Sequence, residues 1–264
     1  MLKVIIMKML ICGKGGSGKS TLTALLAQFY GKDGKKVMVV DTDESNLGLH
    51  RFLGVNHPTD LMDQMGGKQE LMGKMMSAMK SSEGMMNLQL FDQEWTLQDI
   101  PPTCIAENGN VKLLSIGKVH HTGEGCACPM GFVAKQFLKN LKLSDNEMVI
   151  IDTEAGLEHF GRGVEEGADA VLMVLDPSYE SVLLAKKAAD MTASLSLPMY
   201  FVLNKVTSEI SSQMRKDLPA DKIIGEIPVD QNLLSAGLTG RDIASSSNAV
   251  IPIIQNIITG IKSF

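Results

Sequence analysis

The sequence predicts an α/β fold with a mostly parallel central sheet flanked by helices. Three observations carry that expectation: apolar runs of strand length recur along the chain, helix-like segments alternate with them, and a glycine-rich loop joins the first run to the first helical segment. Short continuous apolar runs suit strands covered on both faces, and strict alternation of strand with helix builds a parallel sheet.

The predicted strands are residues 7 to 12 (MKMLIC), 36 to 41 (KVMVVD), 111 to 116 (VKLLSI), 147 to 152 (EMVIID), 169 to 175 (DAVLMVL) and 198 to 204 (PMYFVLN). Predicted helices include "STLTALLAQFYGK", "PSYESVLLAKKAADMTASL" and "VDQNLLSAGLTGRDI". No internal repeat or low-complexity linker interrupts the 264 residues, and the expected organisation is one domain over residues 1 to 264. Residues 1 to 6 precede the first strand and read as a short extension or an early start.

Residues 57 to 110 are less regular, and eight of the eighteen methionines lie between positions 62 and 86. Met72, Met75, Met76 and Met79 fall at i, i+3, i+4 and i+7, which places them on one helical face. That face reads as a packing stripe or an adaptable partner surface ahead of soft-metal capture by thioethers. The C-terminal "NAVIPIIQNIITGIKSF" carries Ile254, Ile257, Ile258 and Ile261 on one face, the pattern of a core-packing helix; a membrane-surface helix is the other reading.

Hydrophobic residues make up 44% and charged residues 21% of the chain, a globular balance. The net charge of −5 gives no general reason to expect nucleic acid or an anionic membrane as partner. No apolar run approaches the ~20 residues that span a bilayer, and the lysine-interrupted start is no convincing secretory signal. The expectation is therefore a cytoplasmic protein. Four cysteines, at positions 12, 104, 126 and 128, do not make a disulfide framework in a chain of this length.

"GKGGSGKST", residues 13 to 21, satisfies G-x-x-x-x-G-K-S/T after a predicted strand and before a predicted helix. Gly13, Gly15, Gly16 and Gly18 permit a tight loop around Ser17, so that backbone N–H groups face phosphate oxygens at a helix N-terminus. Lys19 is placed to reach the β- and γ-phosphates, Ser20 to ligate Mg2+, and Thr21 to bond the α-phosphate. Lys14 is a second lysine in the loop; because Lys19 already serves the phosphates, Lys14 is either a solvated charge or directed at another subunit.

At this point the chain resembles the deviant Walker A ATPases, the P-loop family that includes MinD, ParA, the nitrogenase iron protein and metal-insertion ATPases. The resemblance implies that Lys14 crosses a homodimer interface to the partner's nucleotide, tying hydrolysis to dimerisation. It also implies that Asp43 in "VVDTDESNLGL" orients the attacking water, with Asp41 in a supporting role near Mg2+. Asp152, ending the run in "MVIIDTEAGLEH", occupies the Walker B position for Mg2+, and Gly156 would admit a switch loop to the γ-phosphate. "DTDESN" lacks the proline often seen after the second aspartate in that family. "VLNKV" resembles the strand-end Asn that reads adenine, which assigns Asn204 to the base. Thr207 stands where a guanine-reading NKxD would need an aspartate, which favours ATP. Pro228 and Asp230, in "GEIPVDQNL", are the expected further neighbours of the base.

Cys126 and Cys128 form a CxC in "GEGCACPMG". One pair supplies half of a tetrahedral thiolate site; a two-fold dimer supplies the other half, for Zn2+ or another thiophilic ion such as Ni2+. A redox pair and simple burial are the competing readings. His120 and His121 either supplement such a site or are exposed loop histidines, while Cys12 and Cys104 read as structural. "GEGCACP", "DTEAGLEHFGRG", "GKGGSGKST" and "LNKV" together resemble the CooC family of nickel-insertion ATPases. That resemblance implies an ATP-gated homodimer carrying Ni2+ or Zn2+ to apo CO dehydrogenase. A MinD- or ParA-like positioning ATPase is the alternative, followed by an electron donor with a shared Fe–S cluster.

Overall fold

The computed structural model describes residues 7–80, 88–119, 128–243 and 250–262. Eight strands form one sheet in the order β3-β4-β2-β5-β1-β6-β7-β8, with β1 Met7–Cys12, β2 Lys36–Asp41, β3 Ala106–Asn108, β4 Val111–Ser115, β5 Glu147–Asp152, β6 Ala170–Leu175, β7 Met199–Asn204 and β8 Ile223–Ile227. Every neighbouring pair is parallel except β3 with β4, which is antiparallel. The six predicted strands all form, within one residue of their expected ends. β3 and β8 were not anticipated, because both are short edge strands; β3 carries the polar sequence AEN and β8 is only half-buried along most of its length.

Helices cover both faces, as uninterrupted apolar strands require. Leu10 and Cys12 of β1 point into one core, with Val149 and Ile151 of β5. Met9 and Ile11 point into the other, with Met148 and Ile150. The first core is covered by α3 (Leu61–Gln64), α4 (Gly67–Lys80), α5 (Cys128–Asn140), α6 (Glu158–Arg162), α7 (Tyr179–Ser194) and α8 (Ser208–Met214). The second is covered by α1 (Lys19–Lys32), α2 (Leu49–Phe52), α9 (Gln231–Thr239) and α10 (Ile251–Lys262). Ile254, Ile257, Ile258 and Ile261 of α10 all lie in this second core, so the C-terminal stripe packs as expected.

The methionine face of α4 is not a packing stripe, which leaves the adaptable-surface reading of the same spacing. Leu71 is the helix's buried residue, whereas Met72, Met76 and Met79 are 37%, 53% and 69% exposed. Periodicity identifies side chains that share a face; it does not say whether that face meets the core.

Candidate functional site

The carboxyl ends of β1, β2, β5 and β7 converge on the glycine loop, the position at which open parallel sheets bind ligands. Residues 13 to 18 turn from β1 into α1 with φ of 144° at Gly13 and 102° at Gly18. A Cβ at Gly13 would sit 2.3 Å from the Val174 carbonyl oxygen, and one at Gly18 would sit 2.2 Å from Asn204 Nδ2. Both conformation and space therefore demand glycine there. Around Gly16 an added Cβ would meet nothing within 4 Å, which leaves the loop's inner face open to a ligand. Lys19 is buried, with Nζ 3.4 Å from the Lys14 carbonyl oxygen.

The last residue of β7 and the one that follows it hold this loop from outside. Asn204 Nδ2 donates to the Ser17 carbonyl at 2.7 Å, and Lys205 Nζ donates to the Gly16 carbonyl at 2.8 Å. Lys205 adopts φ 61°, a left-handed conformation unfavourable for a lysine and held here beside the loop. Asn204, expected at the base, thus also anchors the P-loop; its Oδ1 accepts from the Lys205 N–H at 3.0 Å. Asp230 caps α9, accepting from the Asn232 and Leu233 N–H groups at 2.8 and 2.9 Å. Pro228 and Asp230 line the same cleft as the loop.

That cleft measures about 660 Å3, in the range of small-molecule sites. Gly15, Gly16, Gly18, Lys19, Ser20 and Thr21 form its polar end, while Phe52, Val229, Leu233, Leu234 and Leu238 supply apolar wall. A polar end at a helix N-terminus and an apolar flank match a nucleotide's phosphates and base.

Behind the phosphate end sits a carboxylate system. Asp152, fully buried, accepts from Ser20 Oγ at 2.7 Å and Thr23 Oγ1 at 3.0 Å. Burial raises its pKa, opposed by the Ser20 hydrogen bond and by Lys19. Asn46 Nδ2 donates to Ser20 Oγ at 2.7 Å and to Asp152 Oδ2 at 3.3 Å. The donor set of one hydroxyl and one carboxylate, oxygen only, fits Mg2+ that retains most of its water. Asp43 lines the cleft, and its Oδ1 accepts from Ser45 N, Ser45 Oγ and Asn46 N at 2.9, 2.7 and 3.2 Å.

Asp41 departs from expectation. Its Oδ2 lies 2.6 Å from Lys118 Nζ and its Oδ1 accepts from the Asp43 N–H at 3.1 Å, so both oxygens are engaged by the protein rather than turned to a metal. Burial pushes the Asp41 carboxyl up to about 7, against the pull of Lys118. The reason lies in Lys118, a fully buried lysine that the sequence reading did not single out.

A second unanticipated cluster follows β5. Arg162 pairs with Glu154 and, at 3.7 Å, with Glu44. Burial pushes Glu154 up to about 8, with Glu44 adding to the rise and Arg162 opposing it. His159 is buried beside them, and neither ring nitrogen has a hydrogen-bond partner among the described residues. Burial, reinforced by Lys19 and Arg162, pulls its pKa down to about 3. All four residues lie in or next to motifs quoted for their resemblance, but nothing in the spacing announces an ion-pair cluster.

Cys128 is the first residue of α5, is exposed, and is disulfide-bonded, so a metal would require its reduced form. Cys126, His120 and His121 lie outside the described residues. Cys12 and Cys104 are buried free thiols, and burial pushes Cys12 up to about 12, which makes it inert as a ligand. Lys14 Nζ lies 3.2 Å from Asp176 Oδ2 and 3.9 Å from Glu180 Oε2 of its own chain. Among the described residues no helix is long and apolar enough to cross a membrane.

Comparison with known proteins agrees with this geometry. The model of the CobQ/CobB/MinD/ParA nucleotide binding domain matches residues 8–243. An uncharacterized ATP-binding protein of Methanocaldococcus jannaschii is 43% identical over 249 residues, 94% of this chain and 98% of the relative. The carbon monoxide dehydrogenase accessory protein CooC of Rhodospirillum rubrum is 30% identical over 247 residues, 89% of this chain and 88% of that one. In fold, the septum site-determining protein MinD of Pyrococcus horikoshii, solved with Mg-ADP, superposes with a TM-score of 0.69 at 19% identity, covering 96% of this chain and 94% of the other. The chain belongs to the CobQ/CobB/MinD/ParA family of P-loop ATPases, which bind and hydrolyse ATP.

Proposed function

We propose that this ATPase is a CooC-type metallochaperone, in which ATP gates a homodimer whose two CxC pairs carry Ni2+ or Zn2+ to an apo-enzyme of the CO dehydrogenase class in the cytoplasm. The observation that carries the reading is the seat of α5. Its first residue is Cys128, and Gly131 one turn on leaves room for the Arg162 stem; a Cβ there would lie 2.6 Å from Arg162 Cδ. Arg162 in turn pairs with Glu154, two residues beyond Asp152. A cysteine-bearing helix is therefore packed on the segment that leaves the nucleotide site. The full-length likeness to a CO dehydrogenase accessory protein supports the same reading.

In this mechanism Lys19 neutralises the β- and γ-phosphates, Thr21 holds the α-phosphate, Asp43 orients water, and Lys14 acts on the partner's nucleotide. Ser20 and Asp152 would hold Mg2+, which would offset the charge of the phosphates. Anaerobic titration with Ni2+ and with Zn2+, combined with mass measurement with and without a non-hydrolysable ATP analogue, tests the proposal. A monomer under every condition, binding no metal after reduction, would overturn it.

The MinD and ParA folds among the structural neighbours keep a positioning ATPase as the second reading. Against it, the isoleucine face of α10 is occupied by the core and does not serve as a membrane face. Flotation with anionic liposomes, or nucleotide-dependent retention on duplex DNA, would reinstate that reading.

A further inference from the structure

We propose that Lys118 is a positioning residue for ATP hydrolysis, setting the backbone of the loop that carries Asp43. Lys118 is 1% exposed, and a lysine is almost never buried to that degree without dedicated partners. Its Nζ reaches two of them, Asp41 Oδ2 at 2.6 Å and the Asp43 carbonyl oxygen at 2.5 Å. The first is a charge partner. The second is a main-chain contact on the residue assigned to the attacking water, and charge compensation alone does not require it.

The lysine is itself held at its backbone. Its N–H donates to Asp60 Oδ2 at 3.0 Å, and the Val119 N–H donates to the Glu44 carbonyl at 3.1 Å. Just upstream, the Ile116 N–H donates to the Asp41 carbonyl at 3.0 Å. Residues 116 to 119 therefore run alongside residues 41 to 44 and are tied to them by four hydrogen bonds, two of them from the Lys118 ammonium, one of which reaches under Asp43. On the cleft side, Asp43 Oδ1 is fixed by Ser45 and Asn46. Asp43 is thus gripped from both sides, by Lys118 at 2.5 Å and the Asn46 N–H at 3.4 Å at its carbonyl, and by its own turn at its carboxylate. Removal of the ammonium takes away the shorter of the two bonds to that carbonyl and leaves it only the longer one from Asn46, so the carboxylate loses its orientation while the P-loop is untouched.

The inference rests on the assignment of Asp43 to the attacking water, so Asp43→Asn is measured alongside. The test uses the full chain with Mg2+ and compares ATP affinity, single-turnover hydrolysis and thermal stability for Lys118→Met, Asp41→Asn/Lys118→Met and Asp43→Asn. Lys118→Met leaves Asp41 buried without its cation and loses stability; the double variant removes both charges and recovers it. The expected result is that hydrolysis remains slower by ~10- to 100-fold in the double variant although the fold is restored and ATP affinity stays within about twofold, as displacement of a catalytic group by up to an ångström predicts. Recovery of wild-type hydrolysis in the double variant, with Asp43→Asn slow, would overturn the positioning role and leave Lys118 as a counter-charge. Wild-type hydrolysis by Asp43→Asn would instead overturn the Asp43 assignment, and the inference with it.

Discussion

Lys14 Nζ and Asp176 Oδ2 lie 3.2 Å apart within one chain, which ties the second lysine of the glycine loop to the N-terminal approach of α7. Both side chains are partly solvated, at 25% and 18% exposure, so the pair contributes only about 0–1 kcal/mol. A contact of that size holds Lys14 in the single chain yet yields to a partner's triphosphate. Lys14→Ala is expected to keep ATP binding and lose ATP-dependent dimer formation and turnover, read by light scattering and phosphate release. Turnover equal to wild type would remove the role across the dimer.

Lys19 is buried behind the loop and hydrogen-bonds only weakly to the Lys14 carbonyl, so its charge is available to phosphate. Charge-assisted hydrogen bonds are worth about 1.5–3 kcal/mol each. Lys19→Ala is therefore expected to weaken ATP binding by at least about tenfold, measured by equilibrium titration with a fluorescent analogue. Lys14→Ala serves as its control, because that change removes a loop lysine without touching the site of this charge.

His159 makes the protein acid-sensitive. Its pKa is pulled to about 3 in the folded chain against 6.5 for the free side chain. The unfolded state therefore binds a proton that the folded state refuses, and stability present above pH 6.5 is lost as pH falls toward 3. At pH 5 the loss is about 2 kcal/mol. His159→Leu should flatten denaturant-derived stability between pH 6.5 and 5 relative to wild type. An unchanged slope would mean that His159 is protonated in the folded protein.

The phosphate end of the site was legible because its information is local. A strand followed within nine residues by four glycines, a lysine and a hydroxyl dictates one backbone path. Asp152 was legible for the same reason, since an acidic residue ends a fully buried run. Lys118 was not, because its partner Asp41 lies 77 residues away and a single lysine beside Gly117 carries no periodic signal. Asn204 was legible as a site residue, but its bond to the Ser17 carbonyl spans 187 residues and depends on β7 lying two strands from β1. The methionine face of α4 was legible only as a shared face: the pattern was real, and whether it packs on the core or faces outward was not in the pattern.

The CxC prediction follows from ligand arithmetic. Each reduced chain offers two thiolates, a tetrahedral thiophilic site takes four, and a two-fold axis brings the same pair twice. Metal should therefore bind at one ion per two chains, and only after reduction, since Cys128 in a disulfide has no thiolate to give. Because such an ion binds the paired state alone, it should shift the chain toward dimer even without ATP, in proportion to its free concentration. Nucleotide binding should survive Cys126→Ser/Cys128→Ser, because Lys19, Ser20 and Asp152 gather at the carboxyl ends of the central strands β1 and β5 and share no ligand with the cysteines. Metal content and mass, measured together under anaerobic conditions at matched concentration, decide the matter. One ion per chain, or a site undiminished in the double serine variant, would place the metal elsewhere and leave the cysteine pair as a redox couple.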